Sequence, residues 1–252
     1  MDDRDSAGGR QVDMTHGMKI IAVVAQKGGT GKSTLTSNLA VVAASTGLKT
    51  LVVDADPQAS LLDWKRVRGG CDPAVLAGKS SAIHPMRFAA ERSGIDRLFI
   101  DTRASALDHS LEAAKIADLT LIVVRPSPVD LHAIAATVDA LRPLHRPAAF
   151  VLNQAPSPRL GREQAVVLAA IERLLTYGLP IAPFGLRERA VYQAAFGQGR
   201  SPVEMEPDGA AARELSGLWA YVDERLRQPI VSSPIRFKPR IAPELAPRAL
   251  AG

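Results

Sequence analysis

Residues 27 to 34 read Lys-Gly-Gly-Thr-Gly-Lys-Ser-Thr, a run whose types and spacing suit one task, holding a chain of phosphates. Gly28, Gly29 and Gly31 let the backbone curl with its amides turned inward and no Cβ in the way. Those amides, with Thr30 and Thr34 and the start of a following helix, form an anion cradle. Lys32 would reach the β- and γ-phosphates, and Ser33 would place its hydroxyl on a magnesium ion. The general phosphate-loop pattern wants a glycine five residues before Gly31, where this chain has Gln26. A second lysine, Lys27, stands at the loop entrance instead.

Such a loop works only between a strand and a helix. Ile20 to Ala25 is a wholly apolar run rich in branched residues, the pattern of a strand buried on both faces. After the loop, Leu35, Leu39, Val42 and Ala43 fall at helical spacing, and Gly47 suits the C-cap. Thr50 to Asp54 is a second buried strand that runs into Ala55-Asp56-Pro57-Gln58, and Asp96 to Asp101 a third that ends in Asp101-Thr102. Ligands of open parallel sheets sit beyond the carboxyl ends of the strands, so Asp54, Asp56 and Asp101 share a rim with the loop. Asp101, on a strand beside the loop, is placed as the carboxylate behind a magnesium site. Asp56 is either a group at the phosphates or a cap for the helix at Ala59–Arg68. Trp64 in that helix reads as packing rather than as an adenine stacker.

The 252 residues are 46% apolar with a formal net charge of +5, which fits one α/β domain with a sizeable core and suits a weak polyanion binder without establishing one. One cysteine, Cys71, forms no disulfide within the chain and points to a reducing compartment. His16, His84, His109, His132 and His145 lack ligand spacing and read as surface or packing residues. No apolar run approaches the roughly 20 residues of a membrane span, and the acidic start Met1-Asp2-Asp3-Arg4-Asp5 does not resemble a signal peptide. The expected location is cytoplasmic.

The signature Lys-Gly-Gly-x-Gly-Lys-[Ser/Thr] resembles the deviant phosphate loop of the ParA/MinD/nitrogenase-iron-protein family. Asp54–Gln58 with Trp64 following, Pro126-Ser-Pro-Val-Asp130 and Arg189-Ala-Val-Tyr192 extend the resemblance over about residues 18 to 227, most strongly to small, ParF-like plasmid-type ParA proteins. It implies an α/β, doubly wound, mostly parallel sheet flanked by helices, with ATP and Mg2+ as ligands. It implies that Lys27 crosses a dimer interface to the partner's nucleotide, that Asp56 orients the attacking water, and that Asn153 hydrogen-bonds adenine; Asn153 also reads as a turn former. The implied cycle is an ATP-dependent homodimer that binds DNA without sequence preference, is nucleoid-associated when ATP-bound, and has slow basal hydrolysis stimulated by a ParB-like or other cargo adaptor. Arg187, Arg189, Arg200 and Arg213 are candidate DNA contacts, or a solvated charged face. The iron–sulfur branch uses two cysteines per subunit, which a lone cysteine does not supply.

The family often continues Asp-Thr-Pro-Pro where this chain has Asp101-Thr102-Arg103-Ala104. Arg103 is a phosphate or partner contact or a plain surface arginine, the latter preferred. The rest of the chain reads as a loose arm (1–17), the ATPase domain (18–227) and a proline-rich tail (228–252), with no operator-binding module ahead of the core. Residues 69 to 81 read as an irregular connection, 161 to 176 and 187 to 197 as helices, 181 to 184 as a last strand and 208 to 227 as a final helix. Two rivals share the ATPase: a MinD-like membrane-cycling role, disfavoured by five prolines in the tail, and positioning of another cargo, such as a conjugative-transfer, carboxysome or secretion complex.

Overall fold

Apolar runs of five or six residues, too short and too uniformly hydrophobic for surface helices, become the centre of the molecule. In the computed structural model, which describes residues 17–70, 72–79, 82–104 and 107–228, they are β1 (Lys19–Val24), β2 (Thr50–Asp54), β4 (Arg97–Asp101), β5 (Leu119–Val124) and β6 (Ala148–Leu152), with β3 (Ala74–Ala77) at one edge. The order across the sheet is β3-β2-β4-β1-β5-β6, and every pairing between these strands is parallel. The doubly wound architecture is therefore present, with an all-parallel sheet in place of a mostly parallel one. The expectations for Cys71, for residues 1–16 and for residues 229–252 fall outside the described residues.

Helices cover both faces, as continuously apolar parallel strands require. One layer joins α1 (Lys32–Ser45), α2 (Ser60–Arg68), α7 (Ala190–Gly197) and α9 (Ala210–Arg227) to the face carrying Ile21, Val23, Val52 and Phe99. The other joins α3 (Ile83–Arg92), α4 (Leu107–Ile116), α5 (Pro128–Leu141) and α6 (Ala165–Leu175) to Ile20, Ala22, Val53 and Ile100. In α9, Leu215, Leu218, Trp219, Val222 and Leu226 form the buried stripe that their spacing predicts. Among the described residues no helix is long and apolar enough to cross a membrane.

Four expectations change. The stretch 69–81 holds β3, which pairs with β2 in register Leu51↔Ala74 to Asp54↔Ala77; its one fully sheltered side chain, Val75, is too little pattern to read. Residues 181–184 make a lone bridge, Phe150↔Ile181, and no strand. The sixth helix starts at Ala165, after a tight Arg159–Arg162 turn in which Leu160 and Gly161 have φ of 50° and 71°. The seventh starts at Ala190, with Arg189 extended at its N-cap. Two α-helices were not foreseen: α4, which buries mostly small side chains, and α8 (Pro202–Met205), a single turn closed by a Ser201–Glu204 capping box.

Register sets the rim. Asp101 is level with Val23 of β1 and Asp54 of β2, so β4 ends where the phosphate loop begins. The backbone ties this corner together, with Ala55 N–H donating to Asp101 O at 2.9 Å and Thr102 N–H to Val23 O at 3.3 Å.

Candidate functional site

The loop between β1 and α1 is shaped by two of its glycines. Gly29 and Gly31 have φ of 72° and 84°, where side chains are disfavoured. A Cβ on Gly31 would lie 2.3 Å from Asn153 Nδ2. Gly28 shows neither constraint, and nothing lies within 4 Å of the Cβ it lacks. Its bare backbone faces an open cleft. The first turn of α1 has no side-chain cap and no acidic residue, so its N–H groups and the positive end of the helix dipole remain available to an anion.

Cross-links hold the loop. Thr30 Oγ1 donates to Lys27 O at 3.3 Å. From the end of β6, Asn153 Nδ2 donates to Thr30 O at 2.6 Å and Gln154 Nε2 to Gly29 O at 3.3 Å. Asn153 is buried, and its amide nitrogen is committed to the loop backbone. Sequence reasoning missed this brace; glycine at 31 is the signal, since the close approach of Asn153 requires it.

Behind the loop stands Asp101, fully buried at 0% exposure. Its Oδ2 accepts from Ser33 Oγ at 2.6 Å and its Oδ1 from Thr36 Oγ1 at 3.3 Å. Burial pushes the carboxyl up to about 7, opposed by the Ser33 hydrogen bond and by the charge of Lys32. Lys32 is itself buried. A divalent cation suits this pair, because a hydroxyl and a carboxylate are hard oxygen donors and a buried anion lacks a full counter-charge. Among the described residues no group of three or more His, Cys, Asp or Glu gathers to hold a metal, here or elsewhere.

Of the two aspartates, Asp54 and not Asp56 caps the helix that follows. Asp54, buried, accepts from Asp56 N at 3.2 Å, Leu61 N at 3.0 Å and Leu62 N at 3.3 Å. It thereby caps α2, whose N-cap Ala59, at φ 54°, offers no side chain for the task. Asp56 accepts only a local bond from Gln58 N at 3.0 Å and lines the cleft of about 610 Å³ that contains Gly28, Gly29, Gly31, Lys32, Ser33 and Thr34. The same cleft takes Arg103 from the β4 end and Phe196 from α7.

Phe196 reaches the cleft because α2 and the α7–α8 corner are locked together. Its ring is 6.4 Å from that of Trp64, and Trp64 Nε1 donates to Arg200 O at 3.4 Å. Arg68 makes a bidentate pair with Glu204 at 2.9 and 2.7 Å and donates to Gly199 O at 2.9 Å. At Gly199 a Cβ would lie 2.4 Å from the Arg68 nitrogen, so the two backbones touch.

Lys27 lies on the other side of the loop. It lines a separate cleft of about 450 Å³ with Arg125, Pro126, Ser127, Val129, Asp130, Gln154 and Pro156. The Pro-Ser-Pro-x-Asp run has a local logic here: Ser127 Oγ accepts from Asp130 N at 3.2 Å as the cap of α5, Pro128 occupies the first turn, and the Asp130 carboxylate takes Arg125 Nε at 2.5 Å.

The candidate DNA contacts are largely engaged within the fold. Arg187 is bidentate to Glu163 at 3.0 and 2.6 Å, and Arg189 holds Glu214 at 2.9 and 2.6 Å. Arg200 and Arg213 donate to backbone carbonyls of Glu204 and Asp208 and stay exposed.

A strand, a glycine-shaped loop and an uncapped helix, backed by Ser33 on the buried Asp101, agree with the comparison to known proteins. Residues 21–203 match the family model described as the CobQ/CobB/MinD/ParA nucleotide binding domain. The chain belongs to this family. The carboxysome-distribution maintenance protein A of Halothiobacillus neapolitanus is 30% identical over 205 residues, covering 77% of this chain and 91% of that protein. The antiactivator FleN of Pseudomonas aeruginosa is 26% identical over 235 residues, covering 73% and 83%. Among solved structures, a Cyanothece McdA variant in complex with ATP superposes with a TM-score of 0.67 at 18% identity, covering 84% of this chain and 97% of that one.

Proposed function

We propose that this member of the family is a magnesium-dependent ATPase that dimerises on ATP and uses the cycle to position a cargo along DNA. The observation that carries the catalytic part is the buried Lys32 beside Ser33 and Asp101, facing the cleft beneath an uncapped helix N-terminus. In this reading Gly28, Gly29, Thr30, Gly31 and Thr34 supply the cradle and Lys32 neutralises the β- and γ-phosphates. Ser33 and Asp101 would hold the magnesium ion, which when bound supplies positive charge to the phosphate oxygens. Asp56, whose carboxylate is not spent on capping α2, orients the attacking water. Catalysis of this kind is positioning and charge stabilisation. The identity of the nucleotide as ATP is supported by the ATP complex of the McdA variant.

Lys27 has a different neighbourhood, open and lined by the start of α5. That placement supports a role completed by a second copy of the chain. The functional domain is taken as residues 18–227.

DNA as the track rests on the net charge of +5 and on the family resemblance. A second reading keeps the ATPase and changes the cargo or track. It is favoured by relatives as different as a carboxysome-distribution protein and an antiactivator, and by the internal ion pairs of Arg187 and Arg189.

One experiment separates these. Binding of the pure protein to non-specific duplex DNA is measured with ATP, ADP or no nucleotide at two salt concentrations, with Lys32→Ala and phosphate release in parallel. ATP-dependent, salt-steep binding that Lys32→Ala abolishes supports the DNA track. Lys32-dependent turnover with no DNA binding in any state leaves the ATPase and transfers the cargo to a protein or lipid scaffold. No Lys32-dependent turnover overturns the ATPase.

A further inference from the structure

Arg103 stands out among the arginines of the fold. Arg68, Arg97, Arg125, Arg187 and Arg189 each face a carboxylate within 2.9 Å. Arg103 is exposed, and among the described residues no salt bridge or hydrogen bond engages its side chain. It nevertheless lines the phosphate-loop cleft, beside Lys32, Ser33, Asp56 and Gln58.

Its root is fixed. The preceding Thr102 is fully buried. Both its N–H and its Oγ1 donate to Val23 O, at 3.3 and 2.9 Å, and its hydroxyl also lies 3.4 Å from Ser110 Oγ. Two residues before Arg103, Asp101 is bonded to Ser33 in the loop itself. The guanidinium thus swings from an anchored point at the mouth of the cleft. A long side chain on a pinned root, without an internal partner and beside an anion cradle, is poised to answer charge that arrives with a ligand.

The electrostatics leave room for it. The cleft offers Lys32 and Arg103 against Asp56, and part of the charge of Lys32 is drawn to the buried Asp101 behind the loop. Hydrolysis spreads charge over the γ-phosphoryl oxygens as the terminal bond loosens. A planar guanidinium, with its fork of donors, matches two such oxygens at once, which an ammonium does not.

We propose that Arg103 is a catalytic residue, an arginine supplied by the same chain to stabilise the γ-phosphoryl group during ATP hydrolysis; this rests on the ATPase reading. In that step the water oxygen bonds to the γ-phosphorus and the bond from that phosphorus to the β–γ bridging oxygen breaks. The bridging oxygen leaves on ADP with the electron pair, and the proton of the water passes to the released phosphate. Arg103 donates to the equatorial oxygens and takes no proton. Its contribution belongs to the transition state, so it acts on kcat and spares ground-state affinity.

The test measures kcat, KM and affinity for a non-hydrolysable ATP analogue for the full-length wild type, Arg103→Ala, Arg103→Lys and Lys32→Ala, with and without duplex DNA. Trapping of ADP with aluminium fluoride is followed in parallel. Arg103→Ala is expected to lower kcat on the order of 10²-fold and to lose aluminium fluoride trapping, with analogue affinity within about 3-fold of wild type. Arg103→Lys should recover part of kcat. A kcat within about 2-fold of wild type, or a loss confined to analogue affinity, overturns the proposal and returns Arg103 to an ordinary surface arginine. Wild type without Lys32-dependent turnover overturns the ATPase reading instead, and Arg103's role with it. Lys32-dependent turnover that Arg103→Ala leaves at the wild-type rate removes Arg103 alone.

Discussion

The two lysines of one eight-residue loop live in opposite surroundings. Lys32 is 6% exposed, at the start of α1, beside a buried aspartate. Lys27 is half-buried on the far side of the loop, lining a cleft with α5. The surroundings of Lys32 come from its own chain: the glycine loop, the Ser33–Asp101 pair and the wall made by α2 and Phe196. Nothing comparable surrounds Lys27, whose neighbours Arg125 and Asp130 are already paired with each other. The lesson is that equal charge does not make equal surroundings: one lysine is buried against a carboxylate, the other lies half-buried at an open cleft.

That contrast is breakable. The largest effect is expected from Lys32→Ala, which removes a buried cation and leaves Asp101 uncompensated. It should cost at least about 2–3 kcal/mol of nucleotide affinity and abolish turnover, read by titration of a fluorescent ATP analogue. Lys27→Ala should leave analogue affinity of the single chain within about 3-fold of wild type and eliminate the ATP-dependent dimer, read by light scattering with size exclusion. Equal losses of single-chain affinity in both variants would erase the distinction.

The wall of the Lys32 cleft gives a third test. Arg68→Ala leaves Glu204 without its bidentate partner and frees α2 from the α7–α8 corner, and should lower unfolding free energy by about 3 kcal/mol in a denaturant titration. Burial alone would raise the Glu204 carboxyl. The hydrogen bonds from Arg68 and from Ser201 N–H outweigh it and hold the group below its usual range. A depressed carboxylate stabilises the fold above its unfolded pKa, and that stability is lost as pH falls through the folded value. The wild-type advantage over Arg68→Ala should therefore shrink on acidification below about pH 4.

The smallest effect sharpens the loop itself. Asn153→Ala removes a buried hydrogen bond to Thr30 O and should cost about 1 kcal/mol of stability. If Asn153 acts by bracing the loop, the preference for ATP over GTP stays unchanged while affinity for both falls. A selective loss of ATP preference would restore Asn153 to the base.

Much of this site was legible before any fold was known. The phosphate loop, the strand and helix around it, and the three aspartates at strand ends are signals of local sequence, because buried parallel strands must be uniformly apolar and a loop that curls must carry glycine where φ is positive. Gly29 and Gly31 show that necessity directly. Asp101 was placed on the rim from its position at a strand end alone, and register put it beside Ser33. The short β3, the single-turn α8 and the helix α4 were not legible, since an edge strand with one sheltered side chain and a helix burying mostly small residues leave little periodicity.

What the sequence determined by itself was the chemistry on offer: an anion cradle, two lysines, carboxylates at a common rim, and membership in an α/β nucleotide-binding family. What only the tertiary structure decided was how those groups divide their labour. Asp54 caps α2 and leaves Asp56 at the cleft; Asn153 braces the loop; Arg187 and Arg189 turn inward to glutamates while Arg103, among the described residues, stays unpaired at the cleft. The reason is physical. A residue's type fixes which bonds it can make, but for Asn153, Arg187 and Arg189 the partners come from distant segments, and only the packing of the sheet and its helices brings them within reach.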